Sequence, residues 1–142
     1  MKRLRNTTDI PDALVREIEA LVMPPGGVGA YDLELRNTTR GAGGRAYWKG
    51  SGYHSTARPF IVVRIGPEQW RKAIKPANPG YLPMPAVTRL EAFVVVFAHE
   101  LRHLWQARVK HGRRVWGSRG QFSERDADAY ALNRLRAWRK SR

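Results

Sequence analysis

Residues 90–109, LEAFVVVFAHELRHLWQARV, decide how this chain folds. The segment follows Thr88, and Thr88 and Glu91 have the spacing of a capping box at the start of a helix. Apolar residues then occupy almost every side of the helix that would follow. Because a helix that is apolar all round is normally buried, the sequence predicts a buried helix that begins near Thr88.

Two histidines and a glutamate lie inside this apolar helix. His99 and His103 are four residues apart, so their rings project from one face, and neutral imidazole is a common zinc ligand. Glu100 follows the first histidine, where its carboxylate can act as a general base toward a water molecule at the metal. An exposed helix end with incidental histidines is the alternative, but the apolar run argues against exposure. A metal ion would compensate for burying these polar groups.

A second helix is predicted downstream, with Ser123 as its N-cap and its end at about Arg139. Glu124 and Asp128 share one face of that helix, and Asp126 points away from both. A catalytic zinc ion takes three protein ligands, so Glu124 can supply the third. Asp128 is placed to accept the other ring N–H of a ligand histidine. The helix dipole also favours acidic residues here, but it does not explain Asp128.

The combined pattern, His99-Glu100-x-x-His103 followed by Glu124-x-x-x-Asp128, resembles the gluzincin pattern of thermolysin-like zinc peptidases. The resemblance covers residues 88–140. It implies zinc ligation by His99, His103 and Glu124, with Glu100 as the base and Asp128 supporting a ligand histidine. It also implies a zinc metalloendopeptidase that acts on peptide or protein substrates.

A weaker likeness is to SprT-like zinc proteins, because residues 111–116, HGRRVW, partly match the segment that carries their third histidine. A helix that continued past His103 would carry His111 about 12 Å along its axis, too far to share an ion. Glu124 is therefore the preferred third ligand, and His111 is the alternative. Candidates for stabilising the oxyanion in the reaction are His111, Tyr130 and His54.

The composition predicts a single domain over residues 1–142, without disulfides or cysteine-rich metal sites because the chain has no cysteine. The longest apolar stretch, Ala92 to Ala98, is too short to span a bilayer, and Met1 to Pro11 has no features of a secretory signal. We therefore expect a cytoplasmic protein without a membrane partner. The oligomeric state does not follow from the sequence.

The formal net charge is +14, from 26 basic and 12 acidic residues. A surface this basic attracts polyanions, although an arginine-rich solvated surface without a partner would have the same composition. The alternative function is therefore a basic nucleic-acid-associated protein in which zinc mainly stabilises the fold. Such a protein would gather residues 108–119 and 134–142 on one surface.

The rest of the chain predicts a small mixed sheet ahead of the two helices, in an α+β, zincin-like fold. In that arrangement one sheet edge borders the cleft and can bind an extended peptide. An N-terminal helix is expected over Ala13 to Met23, with Asp9 as its cap. Residues 41–55 are expected to be loop-rich, 67–74 a short helix and 76–85 a connector. The predicted strands are Lys2 to Asn6, Tyr31 to Arg36 and Phe60 to Ile65.

Overall fold

The computed structural model describes residues 1–48, 58–67, 88–109 and 121–142, without the side chains at 109 and 121–123. These residues form four strands and three helices. In chain order they are β1 (Arg3–Asn6), α1 (Asp12–Val22), β2 (Asp32–Asn37), β3 (Ala42–Tyr47), β4 (Phe60–Ile65), α2 (Arg89–Val109) and α3 (Gln121–Lys140).

The strands form one mixed sheet in the order β1-β2-β4-β3. β1, β2 and β4 run parallel, and α1 makes the crossover between the first two, as parallel neighbours require. β3 runs antiparallel to β4 and lies at one edge of this sheet. The structure is a mixed α/β arrangement, consistent with the predicted α+β class.

Helix α2 lies between the sheet and α3. It contacts β3 and β4 on one side, α3 on another and α1 on a third. Every residue from Glu91 to Ala98 is buried, and Phe93 and Phe97 stack with ring centroids 5.3 Å apart. These neighbours explain why α2 is apolar on almost every side, and they confirm the predicted buried helix.

Two sets of hydrogen bonds, made by Thr88 and by Arg89, fix the start of α2. The Thr88 hydroxyl accepts the backbone N–H of Glu91 at 3.0 Å, as the capping pattern predicted. Arg89, only 9 % exposed, donates to the Gly66 carbonyl and to the side chains of Asp9 and Asn37. Gly66 and Asp9 follow β4 and β1, and Asn37 is the last residue of β2, so one guanidinium ties the helix start to the ends of all three parallel strands.

Three local predictions were wrong. Residues 42–47 form strand β3 rather than a loop, because pairing with β4 stabilises a strand that their glycine-rich sequence disfavours. Pro11, not Asp9, precedes α1, and the Asp9 carboxylate instead pairs with Arg89. Helix α3 begins at Gln121, so Ser123 lies within its first turn rather than at its cap.

The predicted strand at Phe60 to Ile65 is confirmed in full, and the strands predicted near residues 2–6 and 31–36 are confirmed within one residue at each end. The helix predicted at 67–74 lies outside the described residues beyond Pro67, and the connector at 76–85 lies wholly outside them. In the part of the chain that is described, none of the helices combines the length and apolar character needed to cross a membrane.

Candidate metal centre

Three predicted ligands meet where α2 packs against α3. His99 and His103 project from α2 toward Glu124, in the first turn of α3. The Nε2 atoms of the two histidines are 3.0 Å apart. The Glu124 carboxylate reaches both, with Oε1 2.8 Å from His103 Nε2 and Oε2 3.2 Å from His99 Nε2.

The donor set fits a zinc ion in both chemistry and size. Two imidazole nitrogens and a carboxylate oxygen are ligands that zinc accepts, at about 2.0–2.2 Å each. The three ligand groups offer atoms within 4.8 Å of one another. The two Nε2 atoms lie 3.0 Å apart, and each lies 2.8 or 3.2 Å from a different oxygen of the Glu124 carboxylate, so the donor atoms are close enough to share one ion at about 2 Å. Three protein ligands also leave the fourth zinc position for water or substrate.

The outer nitrogen of His99 is held by Asp128, one turn further along α3 than Glu124. The His99 Nδ1–H donates to Asp128 Oδ1 at 2.9 Å. In the neutral ring this hydrogen bond keeps the proton on Nδ1, so that Nε2 is the nitrogen that can bind a metal. Asp128 is buried, and its Oδ2 has no hydrogen-bond partner among the described residues.

The outer nitrogen of His103 is held by a longer chain of side chains that the sequence analysis missed. His103 Nδ1 donates to Gln106 Oε1 at 2.9 Å, and Gln106 Nε2 donates to Asp126 Oδ2 at 2.8 Å. Arg102 completes the chain with two hydrogen bonds to the Asp126 carboxylate, at 2.7 and 3.1 Å. Both histidines therefore present Nε2 to the same point.

Asp126 does leave the face shared by Glu124 and Asp128, as predicted, but it serves the site through Gln106. The signal in the sequence was the position of Gln106, three residues after His103 and thus on the same side of α2. Its partner on α3 depends on how the two helices cross, which spacing along either helix does not give.

Glu100 lies on the side of α2 that faces strand β3. It is only 7 % exposed, and the backbone N–H of Ala46 donates to its carboxylate. A Cβ placed on Gly44 would lie 2.9 Å from Glu100 Cγ and 2.7 Å from Val96 Cγ1. The strand can approach the helix this closely only because residue 44 is glycine.

Burial dominates the electrostatics of Glu100. Burial raises the pKa of the Glu100 carboxyl, while the neighbouring His99 and His103 oppose the rise. A carboxyl with a raised pKa is better matched to accept and return a proton near neutral pH. The environment of Glu100 therefore suits a general base.

The imidazoles and carboxylates of the site shift one another's pKa strongly. Burial lowers the pKa of His99, but hydrogen bonds to Asp128 and Glu124 outweigh it and raise the pKa to about 10. Burial raises the pKa of Glu124, but hydrogen bonds to His103 and His99 overcome it and hold the pKa well below its usual range. The cluster thus favours bound positive charge, whether as protons or as a metal cation.

Strand β3 borders the site along its outer edge. The Gly66 N–H donates to the Gly41 carbonyl at 2.8 Å, which sets the alternation of the ladder between β3 and β4. The backbone groups of Ala42, Gly44 and Ala46 consequently point away from β4, toward the edge where Glu100 lies. In the described sheet no strand follows β3 on that side.

Of the three predicted oxyanion candidates, Tyr130 lies among the described residues. The Tyr130 hydroxyl donates to the Val22 carbonyl at 2.6 Å, so its proton is committed elsewhere in this structure. His54 and His111 lie outside the described residues, and so does the alternative ligation by His111.

Comparison with known proteins gave no match to a protein-family model, to a curated protein or to a solved structure. What the site can do is therefore inferred from its residues and their geometry.

Proposed function

We propose that this protein is a zinc-dependent metallopeptidase. The observation that carries the proposal is the convergence of His99, His103 and Glu124 beside the buried carboxylate of Glu100. A structural zinc site needs four closed ligands and no base, whereas this arrangement has three ligands and a base. Gluzincins, which have a zincin-like fold and which this pattern resembles, likewise combine three ligands with one base.

A bound zinc ion would be held by His99, His103 and Glu124, and would supply Lewis acidity and lower the pKa of water toward about 7. Glu100 takes a proton from the attacking water and returns it to the leaving amine. Asp128 and Gln106 hold the two imidazoles in the orientation that ligation requires. The Ala46 N–H holds the Glu100 carboxylate beside strand β3.

The edge of β3 suits an extended peptide substrate. Backbone groups of Ala42 and Gly44 that point away from β4 offer hydrogen bonds to an added strand. An added strand would run past Glu100, which lies over the same edge. A peptide or protein is therefore the substrate class that we propose.

The ligand set is tested by zinc analysis of the purified full chain. Wild type is expected to hold one zinc ion per chain, and His99→Ala and Glu124→Ala are expected to lose it because each removes one of three donors. Glu17→Ala is the matched control, since the Glu17 side chain is 60 % exposed and lies on α1. Full zinc occupancy in both ligand variants would remove the assigned ligands.

The base is tested by Glu100→Gln, with Glu91→Gln as a control on another buried carboxylate of α2. Both variants should bind zinc, and circular dichroism should show both folded. Only Glu100→Gln should lose peptide hydrolysis, by about 10²–10⁴-fold, because its amide cannot accept the proton. Unchanged hydrolysis in Glu100→Gln would refute the mechanism. A wild type inactive toward varied peptides and proteins would favour the alternative, a nucleic-acid-associated protein with a structural zinc site.

A further inference from the structure

The side of the sheet turned away from α2 is rich in arginine. Side chains alternate along a strand, so the residues adjacent in the chain to the buried Leu33, Leu35, Ile61 and Val63 point to this opposite side. We call it the arginine face. Its charged residues are Arg3, Arg5, Arg36, Arg45, Arg58 and Arg64, with Asp32 and Glu34.

The arginine face has six basic and two acidic residues, a formal charge of +4. Glu34 is shared, since Arg36 donates to it at 2.7 Å and Arg5 lies 3.9 Å away. Arg36 and Arg64 are direct partners in the pairing of β2 with β4. Like charges directly opposite in a sheet are destabilising, so the stability of the fold does not explain this pair.

Three arginines in and just after α3 are used differently. Arg134 donates to the Leu21 carbonyl, Arg139 pairs with Glu91, and Arg142 pairs with Glu17. These three arginines hold α3 against α1 and α2. The predicted cluster at 108–119 lies almost wholly outside the described residues. Among the residues that the structure describes, the sheet rather than α3 therefore carries the stronger case for a polyanion site.

A cavity of about 610 Å³ lies on the arginine face. Its lining includes Arg3, Arg5 and Arg58 beside the ring of Phe60, together with the carboxylates of Glu34 and of Asp32, which pairs with Arg58 at 3.0 Å. The Arg5 side chain is 78 % exposed and Arg58 is 40 % exposed, so both reach solvent. Cationic groups around an aromatic ring match the two parts of a nucleotide, its phosphate and its base.

We propose that the arginine face binds single-stranded nucleic acid. The arginines contact backbone phosphates, and a base stacks on Phe60 in the cavity. The face spans three strand spacings, about 14 Å, and is built on a sheet, which suits splayed bases on an aromatic surface. Reading duplex DNA requires an element that enters a groove, and this face has no projecting helix among the described residues.

This inference does not rest on the proposed peptidase activity, because the arginine face and the candidate metal centre lie on opposite sides of the sheet. A partner bound at one leaves the other accessible. Binding can therefore be measured in the inactive Glu100→Gln variant as well as in wild type, so the failure of either proposal is distinguishable from the failure of the other.

The test is fluorescence anisotropy with labelled single-stranded oligonucleotides of thymidine and of uridine, a DNA duplex, and phosphatidylserine vesicles as a second polyanion. The variant is Arg3→Gln with Arg64→Gln, because both side chains are exposed and neither has an ion-pair partner among the described residues. The control, Arg136→Gln with Lys140→Gln, removes the same charge from an exposed part of α3.

We expect the face variant to lose at least tenfold in affinity for a single-stranded oligonucleotide and the control less than threefold. The slope of log affinity against log salt should fall by about 1.4, as two lost phosphate contacts require. Preference between the thymidine and uridine strands would identify DNA or RNA as the source. Equal losses in variant and control would overturn the proposal. So would duplex binding as tight as single-strand binding, or a loss confined to vesicles.

Discussion

The two sides of α2 that meet at the candidate metal centre differ in what holds them. The side toward the sheet is apolar, and its one carboxylate, Glu100, is held by a backbone N–H and close packing on Gly44. The side toward α3 is held by hydrogen bonds among charged groups, including Asp126 and Asp128. One helix thus positions Glu100 by packing and its two histidines by electrostatics.

This difference between the two sides of α2 predicts that changes in side-chain shape destabilise the protein most on the side toward the sheet. Phe97→Ala removes a fully buried ring that stacks on Phe93. We expect a loss of about 3–5 kcal/mol in the free energy of unfolding, from lost burial and the remaining cavity. Urea denaturation of the zinc-saturated protein measures it, with the partly exposed Leu90→Ala as control. A loss below about 1 kcal/mol would mean that packing on this side is loose.

Gly44→Ala tests the close approach of β3 to α2. The added methyl group would contact Val96, Glu100 and the Val62 carbonyl within 3.1 Å, so the strand or the helix must shift. We expect a loss of about 1–3 kcal/mol in stability together with reduced peptide hydrolysis. Gly43→Ala is the control, since a Cβ there meets nothing within 4 Å. Equal effects of the two substitutions would show that packing does not position Glu100.

The α3 side should respond to charge rather than to shape. Asp128→Asn keeps the volume of the side chain but weakens the hydrogen bond that holds His99. We expect zinc affinity to fall about tenfold, the lower end for groups that orient a metal ligand, with little change in the circular dichroism spectrum. Competition with a fluorescent zinc chelator measures the affinity. Wild-type affinity in the variant would mean that His99 needs no outer support.

A smaller effect should follow the protonation of Asp126. Burial raises the pKa of Asp126, but hydrogen bonds from Arg102 and Gln106 more than offset burial and lower it. An acid with a lowered pKa in the folded state stabilises above its unfolded pKa, near 3.8, and that stability is lost as pH falls further.

Metal-free Asp126→Asn should therefore be less stable than wild type at pH 7, by no more than about 1 kcal/mol because the carboxylate is partly exposed. The difference should be smaller at pH 3, below the unfolded pKa of 3.8, than at pH 7. Urea denaturation at the two pH values checks it. A difference that grew on acidification would have the wrong sign for a lowered pKa.

The sequence predicted those parts of the molecule that depend on local pattern. The strand at Phe60 to Ile65 has β-branched residues between a proline and a glycine, and the buried helix has apolar residues on every side. The spacing of His99, His103, Glu124 and Asp128 also placed four side chains that the structure brings together. Their roles in metal binding remain predictions.

The missed features depend on contacts between distant segments. Strand β3 has two adjacent glycines, which disfavour a strand locally, yet Gly44 is what the close packing on α2 requires. Asp9 has the residue type of a helix cap but is taken by Arg89, 80 positions away. Gln106 and Asp126 meet only because two helices cross at that point. The spacing of residue types along the sequence does not predict any of these contacts.

The attachment of Arg89 to the strand ends has a mechanical consequence. Since a helix is a stiff rod that rises 1.5 Å per residue, His99 lies about 15 Å from this anchored end. A rod of that length that tilted by about 5° at its anchor would carry the far residue sideways by about 1.3 Å. Displacements of about 1 Å in a reacting group can cost on the order of 10²-fold in rate. A guanidinium remote from the candidate metal centre can thus govern the alignment of His99, because it fixes the direction of the helix that carries this histidine.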